Sequence, residues 1–506
     1  MGTDADVDAI EFGTDGWRAT LDVFTAERVR MVGQAVATYL HDEGSEAGEG
    51  SGAGEGTEAG EGSGAGEGTE AGEGSGAESA TVAIGYDARE SSRGFAEELS
   101  RVLAANGFDV LVPERDVPTP VVGWTVTDRD LTGALMVTAS HNPPEYNGVK
   151  FLPSDGAPAM PDVTDALESR LAEPETLPDD EWGDVSEVDF LGPFYEHALA
   201  TVDADLSGVT VAYDAMYGSG RGVTDDLLER AGAEVERLRC EQDPDFGGTS
   251  PEPEAGRLGE LIERVGEGSA AFGIANDGDA DRITVVTPER GALDPNLFFA
   301  ATYEALLDGD ALADPASFAR SGDVVRTVST SSIVDRVAES HDQTVHETAV
   351  GFKWVADAMR EHDALMGGEE SGGFGLTSHL RNKDGVLLAL LATAIDAEES
   401  YDERIAALLD RFGGIVQDRI SVDCPDDRKE PVLRELDDAL PDEVAGASVE
   451  RVSSVDGFKI FLDDGTWLLV RPSGTEPKLR VYAEAGSQGR ADELLAAGRE
   501  IVEPLV

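Results

Sequence analysis

Asp277, Asp279 and Asp281 alternate within Asn276-Asp-Gly-Asp-Ala-Asp-Arg282, directly behind the apolar run Ala270–Ala275. Carboxylates this close repel one another unless a cation neutralises them. An all-oxygen set suits Mg²⁺, which keeps positions open for phosphate or water. A calcium loop would need Gly at its sixth position and Glu at its twelfth, where this sequence has Arg282 and Pro288. The second element is a hydroxyl. Ser140 and His141 follow the apolar run Ala134–Val137, and Pro143-Pro144 prevents a helix and restricts Asn142. Asn147-Gly148 then reads as a turn. Ser140 is therefore expected on a stiff loop at a strand end, where α/β enzymes place their chemistry. Ser140 beside His141 is not read as a Ser-His-Asp triad. Adjacent residues do not easily aim one ring at the neighbouring hydroxyl, and no Gly-x-Ser-x-Gly elbow surrounds them. A serine near a divalent cation suits phosphoryl transfer, in which the cation withdraws charge while the hydroxyl takes or gives a phosphoryl group. No Gly-x-x-x-x-Gly-Lys-Ser/Thr is present, which excludes a P-loop enzyme.

Two further stretches are built for anions and hydroxyls. Arg471-Pro-Ser473-Gly474-Thr475 offers a guanidinium fork, two hydroxyls and backbone N–H groups at a glycine turn, a compact anion receptor. Glu369 and Ser371, among five glycines between 367 and 375, offer acceptors close to the backbone, which suits sugar hydroxyls. Near the start, the glycines of Gly13-Thr14-Asp15-Gly16-Trp17-Arg18 force a tight turn from which Arg18 can reach a phosphate.

The elements that must carry these loops alternate. Strand and helix patterns succeed one another from Ala80 through Trp354, which argues sheets covered by helices. Helices are expected over 26–40, 94–106, 121–127, 162–171, 223–231, 258–265 and 333–339. The apolar stretch Val386–Ile395 is too short to span a bilayer and reads as a buried helix. The last ninety or so residues look different, with several strands. One segment interrupts the pattern: the unit Glu46–Thr57 repeats as Glu58–Thr69, and a third, incomplete copy starts at Glu70. It holds no apolar residue larger than Ala, so it cannot bury a core and is expected to be a flexible, charge-extended loop. Its match to the loose dinucleotide fingerprint lacks a preceding strand and a following helix and is discarded.

Composition narrows the function classes. The 506 residues carry 38 Lys+Arg against 103 Asp+Glu, a formal net charge of −65. That excess repels nucleic-acid phosphates and anionic lipid, so neither is an expected partner. It also points to adaptation to high salt. Two distant cysteines, Cys240 and Cys424, give neither a disulfide framework nor a metal motif. The N-terminus shows no basic, apolar signal, and a cytoplasmic location is expected.

Taken in order, Thr138-Ala-Ser140-His141-Asn142-Pro143, Asp277-Gly-Asp279-Ala-Asp281-Arg282, Gly368-Glu369-Glu370-Ser371-Gly372 and Arg471-Pro-Ser473-Gly474-Thr475 resemble the α-D-phosphohexomutase family, the phosphoglucomutases and phosphomannomutases. Thr14-Asp-Gly-Trp-Arg18 and Gly351-Phe-Lys353 also fit, and the resemblance covers nearly the whole chain except the repeat. It implies four domains in a heart-shaped arrangement: three related α/β sandwich domains, each a mixed sheet between helices, and a C-terminal α+β domain. The expected spans are 1–190 with the insert at 43–78, 191–291, 292–412 and 413–506. The resemblance implies that Ser140 is a phosphoserine and that Asp277, Asp279 and Asp281, with the seryl oxygen, hold Mg²⁺. Lys353 and His141 become candidates for proton handling, with Arg18, Lys150 and Arg282 near the transferring group. Glu369 and Ser371 would grip sugar hydroxyls, while Arg471, Ser473, Gly474, Thr475 and Arg480 would hold the non-reacting phosphate.

The activity implied is interconversion of glucose 1-phosphate and glucose 6-phosphate, with glucose 1,6-bisphosphate as intermediate and activator. Phosphomannomutase, phosphoglucosamine mutase and phosphopentomutase remain open within the family. A sugar-phosphate phosphatase or a catalytically silent sugar-phosphate-binding protein remains open outside it, and monomer and homodimer are equally compatible. One departure stands out. Many relatives carry His after Gly-Glu-x-Ser-Gly, where this chain has Gly373, and His379 lies further on. Ser378-His379-Leu-Arg381-Asn-Lys383-Asp384-Gly, with Gly351-Phe-Lys353-Trp354, leans toward phosphoglucomutase-like members.

Overall fold

The computed structural model describes residues 7, 9–13, 15–50, 80–309, 321–474 and 476–506. Four sheets follow one another along the chain. The first has six strands in the spatial order Trp17–Thr20, Tyr146–Pro153, Gly133–Val137, Thr81–Tyr86, Asp109–Pro113, Val185–Val188. Its centre is parallel and the first two strands run antiparallel, so the sheet is mixed. Side chains alternate along these strands. Val82, Ile84, Leu135 and Val137 pack under the helices Ala26–Gly50 and Ser92–Ala105, while Ala83, Ala134 and Met136 pack under Thr119–Asp128. Both faces are thus covered, which explains why Gly133–Val137 reads as a continuous apolar run.

Two expectations are corrected here. Asn147-Gly148 is not a turn but lies inside the strand Tyr146–Pro153, opposite Trp17–Thr20. A Cβ on Gly148 would sit 2.5 Å from the Thr138 carbonyl and 2.8 Å from that of Trp17. The glycine therefore permits a close approach of neighbouring chains, the other standard use of this residue in a strand. The first helix also runs beyond Leu40 to Gly50, so the start of the insert has helical backbone. The rest of the repeat, from residue 51 to 79, lies outside the described residues.

The second sheet orders Gly291–Ala292, Ile283–Thr287, Phe272–Asn276, Thr210–Asp214 and Glu234–Leu238. The third orders Val345–Thr348, Val324–Thr327, Met366–Gly368 and Phe374–Leu376. The apolar stretch near residue 390 forms the helix Gly385–Glu398, buried from Gly385 through Ile395. Asp384 caps it, accepting from the N–H groups of Val386 and Leu387 at 2.8 Å. One continuous apolar cluster joins Ala83, Met136, Tyr213, Ile274, Phe299 and Leu390, so the first three domains share a core. The fourth sheet is antiparallel, in the order Val416–Asp423, Lys478–Ala485, Trp467–Pro472, Phe458–Leu462, Ala447–Ser453, Glu443–Val444. It packs its own core against Asp426–Ala439 and Gln488–Val502. A small cluster of Val328, Trp467, Leu469 and Tyr482 joins it to the third domain. Among the described residues, no helix is long and apolar enough to cross a membrane.

Candidate active site

Ser140 lies in the loop between the strands Gly133–Val137 and Tyr146–Pro153 and adopts φ 52°, a left-handed conformation costly for a residue with a Cβ. The surroundings over-determine it. Ser140 N–H donates to Thr138 Oγ1 at 2.8 Å, and Thr138 donates in turn to Asp87 Oδ2. Arg89, paired with Asp87 at 3.0 Å, donates to the carbonyls of Ser140, Asn142, Pro143 and Tyr146. One buried guanidinium thus ties down the whole loop. The turn also brings the His141 ring to Ser140, with Nδ1 3.3 Å from Oγ. This corrects the expectation that neighbouring residues do not meet: the left-handed serine swings both side chains to one side.

The aspartate loop arrives from the second domain, behind the strand Phe272–Asn276. Ser140 Oγ donates to Asp277 Oδ2 at 2.9 Å, across 137 residues of sequence. Gly278 makes this approach possible, because a Cβ there would lie 2.5 Å from the Ser140 carbonyl. Asp277 Oδ1 accepts from Arg282 N–H, and Asp279 accepts from Thr119 Oγ1 at 2.6 Å. Ligand atoms of Asp277, Asp279 and Asp281 all lie within 4.8 Å of one another. Asp279 Oδ1 and Asp281 Oδ1 are buried without a hydrogen-bond partner. Burial, then the charges of Asp281 and Asp279, hold the Asp277 carboxyl well above the ordinary range. Hard oxygen donors with unused lone pairs and mutual repulsion fit a divalent cation such as Mg²⁺.

Two lysines share the charge. Lys150 Nζ contacts Asp15, Asp279 and Asp281 at 3.0, 2.9 and 3.1 Å. Lys383 Nζ contacts Asp281 at 2.8 Å and Asp15 at 3.4 Å. Burial opposes both ammonium groups, but the carboxylates outweigh it and keep each pKa above that of an ordinary lysine. Arg18 pairs with Asp15 at 3.0 Å and reaches Asn142 Oδ1 at 3.3 Å. Burial, with Arg282 and Arg18, pushes His141 down to about 2, so its ring is neutral and available as an acceptor. Burial also lowers Lys353. It raises Glu369 to about 7, although Lys383 and the Gly351 N–H, donating at 3.0 Å, pull the other way.

A cleft of about 1560 Å³ runs between these groups and the last domain. Arg18, His141, Arg282, Lys353, Glu369, Ser371, Gly474 and Arg480 line it. Ser140, Lys150 and the three aspartates are buried behind its wall, next to His141 and Arg282. Arg471 and Ser473 are likewise buried behind Gly474, with Arg471 Nε on Asp456 at 2.9 Å. Arg480 pairs with Glu476 at 2.7 Å. Thr475, expected in the anion receptor, lies outside the described residues, as does Thr14. His379 is not in the cleft: its ring bonds Asp384 at 2.7 Å and His197 at 2.8 Å. Sequence reasoning missed Asp15, Asp87, Arg89, Thr119 and Lys383 as site members. For Asp15 and Lys383 the signal was proximity to motif residues; for Asp87 and Arg89 it was polar types just after a strand, and for Thr119 a hydroxyl at the start of a helix.

Fold and site together bring a buried serine, three clustered carboxylates and a cleft lined by cationic and hydroxyl-bearing side chains into one four-domain architecture. Comparison with known proteins identifies the family. Residues 65–177, 193–291 and 305–412 match the phosphoglucomutase/phosphomannomutase alpha/beta/alpha domains I, II and III, and residues 420–501 match the C-terminal domain of that family. The chain is 34% identical over 416 residues to a Methanopyrus kandleri protein named "Probable phosphoglucosamine mutase", covering 82% of this chain and 88% of the relative. It is 30% identical over 431 residues to the phosphoglucomutase/phosphomannomutase of Thermococcus kodakarensis, covering 83% and 90%. A crystal structure of a phosphoglucomutase/phosphomannomutase family protein from Burkholderia thailandensis superposes with a TM-score of 0.80 at 21% identity, covering 98% of this chain and 97% of that one. The chain belongs to the phosphoglucomutase/phosphomannomutase family, the α-D-phosphohexomutases.

Proposed function

We propose that this enzyme interconverts glucose 1-phosphate and glucose 6-phosphate through a phosphorylated Ser140 and glucose 1,6-bisphosphate. The observation that carries the reading is the 2.9 Å contact between Ser140 Oγ and Asp277, beside a cleft whose far side presents Gly474 and Arg480. Asp277, Asp279, Asp281 and the seryl oxygen would hold Mg²⁺, which when bound supplies Lewis-acid withdrawal of charge from the phosphoryl group. Lys150, Arg18 and Arg282 add positive charge around the same oxygens. His141, neutral and 3.3 Å from Oγ, offers a hydrogen-bonding partner to the seryl oxygen, and Lys353, its pKa lowered by burial, donates or accepts a proton at the sugar hydroxyl. Glu369 and Ser371 orient the sugar, and Arg471, Ser473, Gly474, Thr475 and Arg480 hold the phosphate that does not react.

The hydroxyl grip and phosphate clamp stand apart from the serine, so the bisphosphate can turn around and bind in the opposite sense. Ser140→Ala removes the covalent route and lowers turnover by orders of magnitude with the fold retained. A variant turning over near the wild-type rate, in a coupled assay with the bisphosphate and Mg²⁺, refutes this mechanism. A second reading, phosphoglucosamine mutase, is favoured by the name of the Methanopyrus relative. Comparing kcat/KM for glucose, glucosamine and mannose 1-phosphates in concentrated KCl decides between them: highest efficiency on glucosamine phosphate replaces the glucose reading.

A further inference from the structure

Asp456 lies in the short connection between the strands Ala447–Ser453 and Phe458–Leu462, and none of the chemistry above uses it. The connection is tightly built: Gly457 has φ 77°, and a Cβ there would lie 2.2 Å from the Val470 carbonyl. Asp456 Oδ2 accepts two hydrogen bonds from different domains. One comes from Arg471 Nε at 2.9 Å, in the phosphate clamp. The other comes from the backbone N–H of Val350 at 3.1 Å, in the third domain. The next N–H, that of Gly351, donates to Glu369 Oε1 at 3.0 Å. Gly351 adopts φ 119°, ψ 124°, a conformation that a residue with a Cβ rarely takes. With that backbone, two consecutive N–H groups face two carboxylates on different domains. Lys353 stands two residues further on, in the first turn of the helix Phe352–His362.

We propose that Asp456 is a positioning residue that couples phosphate held at Arg471 to the start of the helix carrying Lys353 and to Glu369. The inference rests on the reading of Arg471 as part of the phosphate clamp. A phosphate on the guanidinium fixes the side chain whose Nε occupies Asp456, and the same oxygen fixes Val350 N–H. Charge-assisted bonds of this kind are short and directional, so ordering of one donor constrains the other. Gly351 passes the constraint to Glu369, which prepares the sugar-binding end when the distant phosphate is in place.

The test uses inorganic phosphate and the full chain in concentrated KCl. Phosphate binding is measured calorimetrically, and hydrogen exchange is followed in peptides spanning 349–354 and, as a control, 467–472. In wild type, phosphate should slow exchange at 349–354 severalfold. Asp456→Ala should still bind phosphate and keep its 467–472 protection, yet lose the slowing, as should Arg471→Ala. In turnover, Asp456→Ala should lower kcat as well as raise KM, each by roughly tenfold, the scale of one charged hydrogen bond. Equal slowing in wild type and Asp456→Ala overturns the proposal, as does binding without slowing in wild type. Phosphate that binds wild type and Arg471→Ala equally overturns the clamp reading itself.

Discussion

Gly278 offers a sharp test of how closely the serine and the aspartates must approach. Its φ is not in the left-handed region, so the backbone accepts alanine without strain. Space alone forbids it: the added Cβ would lie 2.5 Å from the Ser140 carbonyl and 2.9 Å from Pro251 Cγ. The first distance falls about 0.9 Å short of ordinary contact, which begins at 3.4 Å. Ser140 is pinned by Arg89 and Thr138, so the strain must be relieved by parting the two loops at the 2.9 Å Ser140–Asp277 contact. Overpacking of this kind costs about 1–3 kcal/mol of stability. A displacement near 1 Å of a reacting group from its productive position costs roughly 100-fold in rate. Gly278→Ala should therefore lower kcat by roughly 100-fold while the chain stays folded. The assay is glucose 6-phosphate formation at saturating glucose 1-phosphate, bisphosphate and Mg²⁺, with circular dichroism as the fold control. Gly259→Ala, where nothing lies within 4 Å of the new Cβ, should leave the rate unchanged. A Gly278→Ala rate within about threefold of wild type refutes the argument that this contact sets the geometry of transfer.

Three further outcomes follow from the site and the composition. Burial raises Glu369 from 4.5 to about 7, so the folded chain holds this proton more tightly than the unfolded one; its contribution to stability is complete below about 4.5 and is lost as pH rises through 7. Glu369→Gln removes that dependence, and its stability relative to wild type should rise by about 3 kcal/mol between about pH 4 and about pH 8 in urea titrations; a flat difference contradicts the assignment. Mg²⁺ at about 100 times its Kd should add about 2.7 kcal/mol of stability, and Asp279→Asn should lose most of that gain; identical melting with Mg²⁺ and with a chelator removes the cation from this site. The net charge of −65 predicts that unfolding temperature climbs into molar KCl, and maximal stability in dilute buffer contradicts adaptation to salt.

Each motif loop was legible because its chemistry is written in consecutive residues. Asp277 to Arg282, and the stretch from Arg471 onward, carry several functional groups of one kind within a few positions. The buried helix at Gly385–Glu398 was equally plain, since a long run without charge has few alternatives. What escaped were partners made by register. Lys383 and Asp15 are separated by 368 residues, and only the fold places them on the same aspartate cluster. Arg89 reads as an ordinary polar turn residue until four carbonyls of the serine loop converge on it. Asn147-Gly148 misled for a related reason: a glycine that reverses the chain and one that admits a neighbouring strand have the same signature in one dimension.

The last domain keeps an apolar interior of its own and meets the third through a small apolar patch and polar bonds that include Val350–Asp456, Ser332–Glu484 and Lys459–Glu347. The serine and Arg471 therefore sit around separate apolar cores, and a calorimetric trace need not be a single peak. Warming that loosens only the smaller unit would spare the serine and the aspartates while releasing the far end of the sugar phosphate. On the mechanism proposed above, a phosphorylated Ser140 would then face a substrate no longer held at its far end, and water would compete for the phosphoryl group.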